Sequence, residues 1–217
     1  AEGEEKAQRT YSYNYAGTEI VTNTVFGYDV DVLKSSITYR GTTTAAKKSE
    51  TYYLGTEAEE RADYTWNYDY AGSAIKTTTR FYYDVDTLKR SETTKATTTI
   101  LKSVTYYLGN QGEEKSDYTY NYDALGVAIK TTTKFTYSAD TLPDSPTYKG
   151  VNGTVIKSHT VYLGNEGEEK AQRTYNYDAT GSSIKTTTTF GYQADTLDSS
   201  TTRRGVDGTV MVSVTYY

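Results

Sequence analysis

The chain has 217 residues, 23 of them Lys or Arg and 28 Asp or Glu, for a formal charge of −5. That balance offers no basic face to a nucleic-acid partner, and no apolar run approaches the roughly 20 residues of a membrane helix. The absence of cysteine excludes disulfides, thiolate metal sites and cysteine nucleophiles.

Zero cysteine also fits a bacterial surface protein, so the expected location is extracellular or at the cell surface. The opening "AEGEEKAQRT" has no initiating Met and no signal-peptide pattern, which predicts a processed form or a piece of a longer chain. Leu, Ile, Val and Phe are scarce, but the charge is mild and 25 tyrosines supply rings to bury. Thr is the commonest residue. Tyr and Thr both favour strands, and helical periodicity is nearly absent, so the fold class is all-β.

The sequence repeats itself. Gly17, Gly72, Gly126 and Gly181 are equivalent, as are Leu33, Leu88, Leu142 and Leu197, and Glu5, Glu60, Glu114 and Glu169. Four units follow: 1–55, 56–109, 110–164 and 165–217. The second is one residue short, between Leu88 and Leu108. Such a period marks a solenoid, a propeller or an array.

In chain order, the last unit begins with a strand at 170–177, "KAQRTYNY", turned by "DATG". A second strand spans 183–192, "SIKTTTTFGY", and the loop "QADTLDS" follows. A third strand, "STTRRG", leads through "VDG" to a fourth that runs to the end of the chain. Asn152-Gly153 and Asp207-Gly208 predict tight hairpins between strands three and four, because both central residues of such a turn take positive φ. "GNEG" at 164–167 turns the chain into the last unit.

Alternation assigns faces. In strand two, Ile20, Thr22, Thr24, Phe26 and Tyr28 share one side. The same five residue types recur with Ile75, Phe81 and Tyr83, with Ile129, Phe135 and Tyr137, and with Ile184, Phe190 and Tyr192. This invariance predicts a packed face. The opposite side, which includes Asn23, Thr78, Thr132 and Thr187, varies and is expected to meet water. In strand one, Tyr175 and Tyr177 correspond to Tyr120 and Tyr122, and to Trp66 and Tyr68. The exchange of Tyr for Trp66 shows a demand for a ring, not for a phenol's acidity. Rings are expected to face Ile and Phe on the neighbouring strand. The central expectation is that Ile, Thr, Phe and Tyr from successive units form one continuous dry seam.

The most specific local pattern is Tyr-x-Tyr-Asp-x-x-Gly: "YNYDATG" at 175–181, "YNYDALG" at 120–126, "WNYDYAG" at 66–72, and "YSYNYAG" at 11–17. It resembles the YD repeats of Rhs-type proteins. The resemblance implies tyrosine-aspartate hairpins wound into a β-sheet spiral that forms a shell, a stalk or a cell-surface module. Two departures stand out. Family repeats recur at a shorter period and continue with Arg, where this chain has Thr18, Ser73, Val127 or Ser182. No self-cleaving segment is visible, so a toxin-processing role does not carry over. Read physically, Asp69, Asp123, Asp178 and Asn14 can bond the backbone of their own turns, and Gly17, Gly72, Gly126 and Gly181 can take the left-handed conformation.

"DVD" at 29–31 and 84–86 suggests calcium. The partners of Asp31, Asp86, Asp140 and Asp195 are Asp29, Asp84, Ser138 and Gln193, too inconstant for an ion that takes 6–8 oxygens. A turn role is favoured, and hairpin-end charge for the "GEEK" tracts. His159, with equivalents Glu50, Val104 and Val214, reads as a tolerated strand residue. No Ser-His-Asp set recurs, so a hydrolytic triad is implausible. The "NGT" at 152–154 reads as a turn, not as a glycosylation site. Outward threonine ranks are too mixed for ice binding. Tyr39, Tyr82 and Tyr148 sit at less regular positions where rings could stack on sugars.

The favoured architecture is a linear, spiral or solenoid-like array of four antiparallel β-hairpin repeats; a four-bladed propeller is the alternative. No atypical polar cap marks either end, so self-association or further repeats are expected. The first functional expectation is a structural, non-enzymatic module of an extracellular repeat protein, forming a stalk or self-assembling fibre. An adhesion module for surface glycans comes second and a shell segment of an Rhs-like toxin third. No catalytic residue, cofactor or metal is implied, nor any nucleic-acid partner or membrane span.

Overall fold

The computed structural model describes residues 5–14 and 16–217, and all regular structure among them is β. Tyr15, within the first copy of the Tyr-x-Tyr motif, lies outside the described residues. Repeat 1 supplies β1 (Arg9–Tyr13), β2 (Ile20–Asp29), β3 (Val32–Arg40) and β4 (Lys47–Leu54). Repeat 2 supplies β5 (Arg61–Tyr68), β6 (Ile75–Asp84), β7 (Thr87–Lys95) and β8 (Leu101–Leu108). Repeat 3 supplies β9 (Lys115–Tyr122), β10 (Ile129–Lys134), β11 (Thr136–Ser138), β12 (Thr141–Lys149) and β13 (Ile156–Leu163). Repeat 4 supplies β14 (Lys170–Tyr177), β15 (Ile184–Gln193), β16 (Thr196–Arg204) and β17 (Met211–Tyr216). The ladder breaks at Phe135, so β10 and β11 together match the single second strand of the other repeats.

The chain divides into two compact units, residues 1–102 and 103–217. The division falls inside β8, away from any repeat boundary. The first unit is an antiparallel meander from β1 to β7. In the second, β9 pairs with β8 and with β10, and the meander runs on to β17.

The last strand of one repeat hydrogen-bonds to the first strand of the next, with Thr51 opposite Thr65, Thr105 opposite Thr119 and Thr160 opposite Thr174. This overturns the propeller alternative, whose blades are separate sheets. Within each unit the strands form an open antiparallel meander.

Register sorts the side chains. In the first unit Phe26 opposes Ser36, which opposes Thr51, and Thr24, Thr38, Thr65 and Thr79 lie on that same face. The other face carries Tyr11, Asn23 and Tyr39, then Glu50, Trp66 and Thr78. On the first face, hydroxyls meet across strands at Thr24–Thr38 and Thr51–Thr65, each 2.9 Å. The backbone shows why these pairs bond. Gly41 N donates to Val21 O and Phe26 N to Gln8 O, so Thr24 and Thr38 form a non-hydrogen-bonded pair. Side chains approach more closely at such pairs. Thr133–Thr147 and Thr188–Thr202 repeat the contact at 2.8 Å in the second unit.

The dry seam is not found. Ile20, Phe26, Tyr28, Ile75, Phe81, Tyr83, Ile129, Phe135, Tyr137, Ile184 and Phe190 are half-buried, and Tyr192 is exposed. Trp66, Tyr120, Tyr122, Tyr175 and Tyr177 are half-buried too. Val104 is the one apolar residue among the described residues that is buried. The strand contacts in each unit run between meander neighbours. Within each unit, no second sheet packs on the described strands, so most side chains are covered only by their strand neighbours.

The face expected to meet water holds the most buried side chains: Asn23 at 0% exposure, Thr132 at 3% and Thr187 at 4%. The first ring of strand one therefore opposes this position, not Phe, while the second ring opposes Ile, as in Tyr177–Ile184.

The cover over Asn23, Thr132 and Thr187 comes from the loop between the third and fourth strands of each repeat. Asn23 Nδ2 donates to Gly41 O and Thr43 O. The hydroxyls of Thr78, Thr132 and Thr187 donate to the carbonyls of Ala96, Gly150 and Gly205. The expected tight turns at Asn152-Gly153 and Asp207-Gly208 are not formed. The loops are longer, closed by Lys149 N to Val155 O and Arg204 N to Val210 O, and positive φ falls earlier, at Gly150 and Gly205. Repeat 2 makes this loop one residue shorter, with Ala96 at φ 48°. The tight hairpins lie instead between the second and third strands, where Gln193 pairs with Thr196 and Ala194 and Asp195 both have positive φ. Strand three therefore begins at Thr196, inside the stretch expected to be a loop.

Candidate functional site

Three groups of side chains are candidates. The first lines the edge that carries the β2–β3 and inter-repeat turns. Lys6, Arg61, Lys115 and Lys170 open successive repeats and pair with Asp31, Asp86, Asp140 and Asp195. These are the aspartates considered for calcium, and each faces a cation of its own chain. Lys6 also reaches Glu57 at 2.9 Å, and Lys115 reaches Glu166 at 2.7 Å, so one ammonium links two successive repeats. The bond to Glu166 pushes the Lys115 ammonium above its ordinary pKa. Glu60 accepts the Leu33 backbone N–H at 2.9 Å and Glu169 that of Leu142 at 3.0 Å. Each carboxylate caps an amide one repeat back, beside the bulge where Tyr28 opposes Leu33 or its equivalent. The Leu33 amide, followed by Glu60's own amide, holds the Glu60 carboxyl below its usual range. Glu169 is lowered by its own amide and that of Leu142.

At the opposite edge, Asp69 Oδ1 accepts from the Ser73 and Ala74 amides, Asp123 from Val127, and Asp178 from Thr180 and Ser182. Asn14 does the same for Thr18 and Glu19. Gly17, Gly72, Gly126 and Gly181 have φ between 68° and 76°. Gly72 also lies against the backbone of Ala46 and Lys47, where a Cβ would come within 2.2 Å of the Lys47 nitrogen. These turns close hairpins and lock one loop to the next.

The third group is the ring-bearing face of the first unit. Tyr52 stacks on Tyr64 at 4.7 Å, and Trp66 stands edge-on to Tyr52 at 5.2 Å. Beneath them Glu50, 7% exposed, takes hydrogen bonds from Lys47 Nζ, Tyr52 OH and Tyr68 OH at 2.7, 2.8 and 2.9 Å. Burial opposes its charge, yet these three donors hold the carboxyl below its ordinary range. Burial and the Glu50 bond push the Tyr52 phenol up strongly. Alongside, β5, β6, β7 and the loop at 96–100 enclose a groove of about 560 Å³ lined in part by Tyr64, Trp66, Arg80, Tyr82 and Glu92. Arg80 lies over the Tyr64 ring at 5.4 Å and pairs with Asp63. Arg90 lies over Tyr82 at 4.3 Å and pairs with Glu92, which also accepts from Tyr82 OH at 2.9 Å. Tyr82 therefore lines the same groove as Tyr64 and Trp66, while Tyr39 and Tyr148 are half-buried elsewhere.

The ring-to-backbone contacts explain another invariance. Tyr28, Tyr83 and Tyr192 each donate their phenol to the carbonyl of Ala7, Ala62 and Ala171. Here the hydroxyl is needed, unlike at Trp66. His159 lies 6.3 Å from Tyr175 and 3.7 Å from Asp144. Among the described residues no three His, Asp or Glu are grouped to hold a metal ion.

The sequence matches no family model and no curated protein. Among solved structures it is similar to a porin-like protein from Bacteroides uniformis, with 10% identity, a TM-score of 0.40 and coverage of 90% of this chain and 89% of that one. It is also similar to a structure described as TcdB2-TccC3-TEV, with 16% identity and a TM-score of 0.32. That match covers 96% of this chain and 11% of the other. A third, TcdB2-TccC3, has 12% identity and a TM-score of 0.20, covering 90% and 14%. At these scores the neighbours carry no further argument.

Proposed function

We propose that the chain is a non-enzymatic structural module of a larger extracellular or cell-surface protein, a length of stalk or fibre that grows by pairing strand to strand. The observation that supports this reading is the junction between repeats. It uses one register three times: Ser49, Glu50, Thr51 and Tyr52 oppose Asn67, Trp66, Thr65 and Tyr64, and β8–β9 and β13–β14 follow suit. Nothing in that rule stops at four repeats. Among the described residues β1 pairs with β2 alone and β17 with β16 alone. By the same register Thr215 of one copy would oppose Thr10 of another, and Val214 would oppose Tyr11.

Unpaired edges of this kind invite addition of a further strand. The outward donors on β1 belong to its odd-numbered residues, because Gln8 is bonded inward to Phe26. Tyr11→Pro therefore removes an outward N–H without touching the β1–β2 ladder. Sedimentation velocity and negative-stain microscopy test the reading. Concentration-dependent rods, shortened or lost in Tyr11→Pro with unchanged circular dichroism, are expected. A wild-type chain that stays monomeric at high concentration would refute it.

A further inference from the structure

In a chain of near-identical bricks, the place where one brick differs is informative. Several of repeat 2's departures from the other repeats gather on one face, in one patch. The sole tryptophan, Trp66, replaces the Tyr11, Tyr120 and Tyr175 of the other repeats. Tyr82 stands where they have Gly27, Thr136 and Gly191, and Glu92 where they have Ile37, Pro146 and Thr201. Arg80 replaces Val25, Lys134 and Thr189. The one-residue deletion also belongs to this repeat and shortens the loop at 96–100. All five differences meet at the 560 Å³ groove, whose rim is the Thr97, Thr98 and Thr99 of that loop. None is needed for the brick, since the other three repeats form the same strands without them.

We propose that this groove binds a neutral oligosaccharide. Its volume lies in the range of small-ligand sites, about 300–1,000 Å³. Half-buried Trp66, met only edge-on or at a tilt by Tyr52 and Tyr64, offers ring surface to the apolar face of a pyranose. Arg80, Glu92 and the threonine hydroxyls bring donors and acceptors to the sugar hydroxyls at the rim. The charges are already matched within the protein, Arg80 with Asp63 and Arg90 with Glu92. The groove therefore has no net field to draw in an anionic polymer, which selects an uncharged, hydroxyl-rich ligand. This inference stands apart from the structural role: an array can carry such a site whether or not it assembles.

Trp66 is the chain's only tryptophan, so its emission reports on the groove directly. The full chain is titrated with neutral oligosaccharides of defined linkage (gluco-, xylo-, manno- and chito-series) and, in parallel, with acidic ones. A saturable change in Trp66 emission is expected with at least one neutral series, with Kd between about 10 μM and 1 mM. Arg80→Val and Glu92→Ile install the residues of repeat 1 and so retain the fold. Each is expected to weaken binding by about tenfold, the equivalent of one lost polar contact to a charged group. No emission change with any neutral series would overturn the proposal. So would binding indifferent to both substitutions, or binding confined to acidic sugars and abolished by salt.

Discussion

Glu50 is a carboxylate kept charged at 7% exposure in a structure with almost no core. Leaving a buried donor or acceptor unpaired costs more than a typical hydrogen bond gains, so Lys47, Tyr52 and Tyr68 must all stay in place. Glu50→Gln removes the charge and at least one acceptor, and is expected to lower unfolding free energy by about 1.5–3 kcal/mol in a urea titration. The sign with pH follows from its depressed pKa. Its contribution is complete above the ordinary carboxylate value of 4.5 and is lost as pH falls through the lower folded-state value. Asp69, Asp123 and Asp178, depressed by the amides and hydroxyls of their own turns, add the same trend from 3.8 downward. The melting temperature should hold near neutrality and drop in acid below about pH 4.5, and the drop should be smaller in Glu50→Gln. The turn residues were legible in the sequence because an Asx turn is local. The Glu50 cage was not, because Lys47, Tyr52 and Tyr68 converge only once β4 and β5 are paired.

At the scale of the element, the loops bind the sheet more than the pattern of alternation suggests. Thr132 anchors the loop after β12 by sharing its one hydroxyl proton between Gly150 O at 2.6 Å and Val151 O at 2.8 Å. Thr132→Val keeps the shape but removes that shared donor, and should cost about 1–2 kcal/mol, read from the denaturation midpoint. Thr133→Val, on the other face, breaks only the half-buried pair with Thr147 and should cost less. Alternation alone labels position 132 as solvent-facing because it carries no information on where a distant loop lies. A second element stores strain. Val30 and Val85 hold φ of 55° and 54° in two-residue hairpins, where a β-branched residue pays a steric penalty. Both side chains are exposed, so nothing offsets it. Val85→Asn, which tolerates that conformation, is expected to raise the melting temperature by about 2–4 °C. The sequence points to a turn here through Asp84 and Asp86 but conceals its tightness, since Val is an unlikely occupant.

For the whole molecule, the all-β class was legible because Tyr and Thr favour strands and helical periodicity is nearly absent, while the spacing of Gly17, Leu33 and Glu5 with their equivalents points to the repeats. Invariance was misleading about burial. Ile20, Phe26 and Tyr28 recur because each makes the same contacts with its strand neighbours, not because a second layer seals them. Stability in such an array is a sum of neighbour terms. Those terms include the paired threonines, the phenol-to-backbone bonds, and the Glu60 and Glu169 caps that reach one repeat back. The junction between repeats is a rule that two copies can also obey. A double variant, Thr10→Cys with Thr215→Cys, tests it in a chain that has no other cysteine. The two positions would form a non-hydrogen-bonded pair, whose short Cα separation suits a disulfide. Mild oxidation should give a ladder of covalent multimers on a non-reducing gel, reversed by reductant. Monomers with free thiols, or a disulfide closed within one chain, would contradict the account.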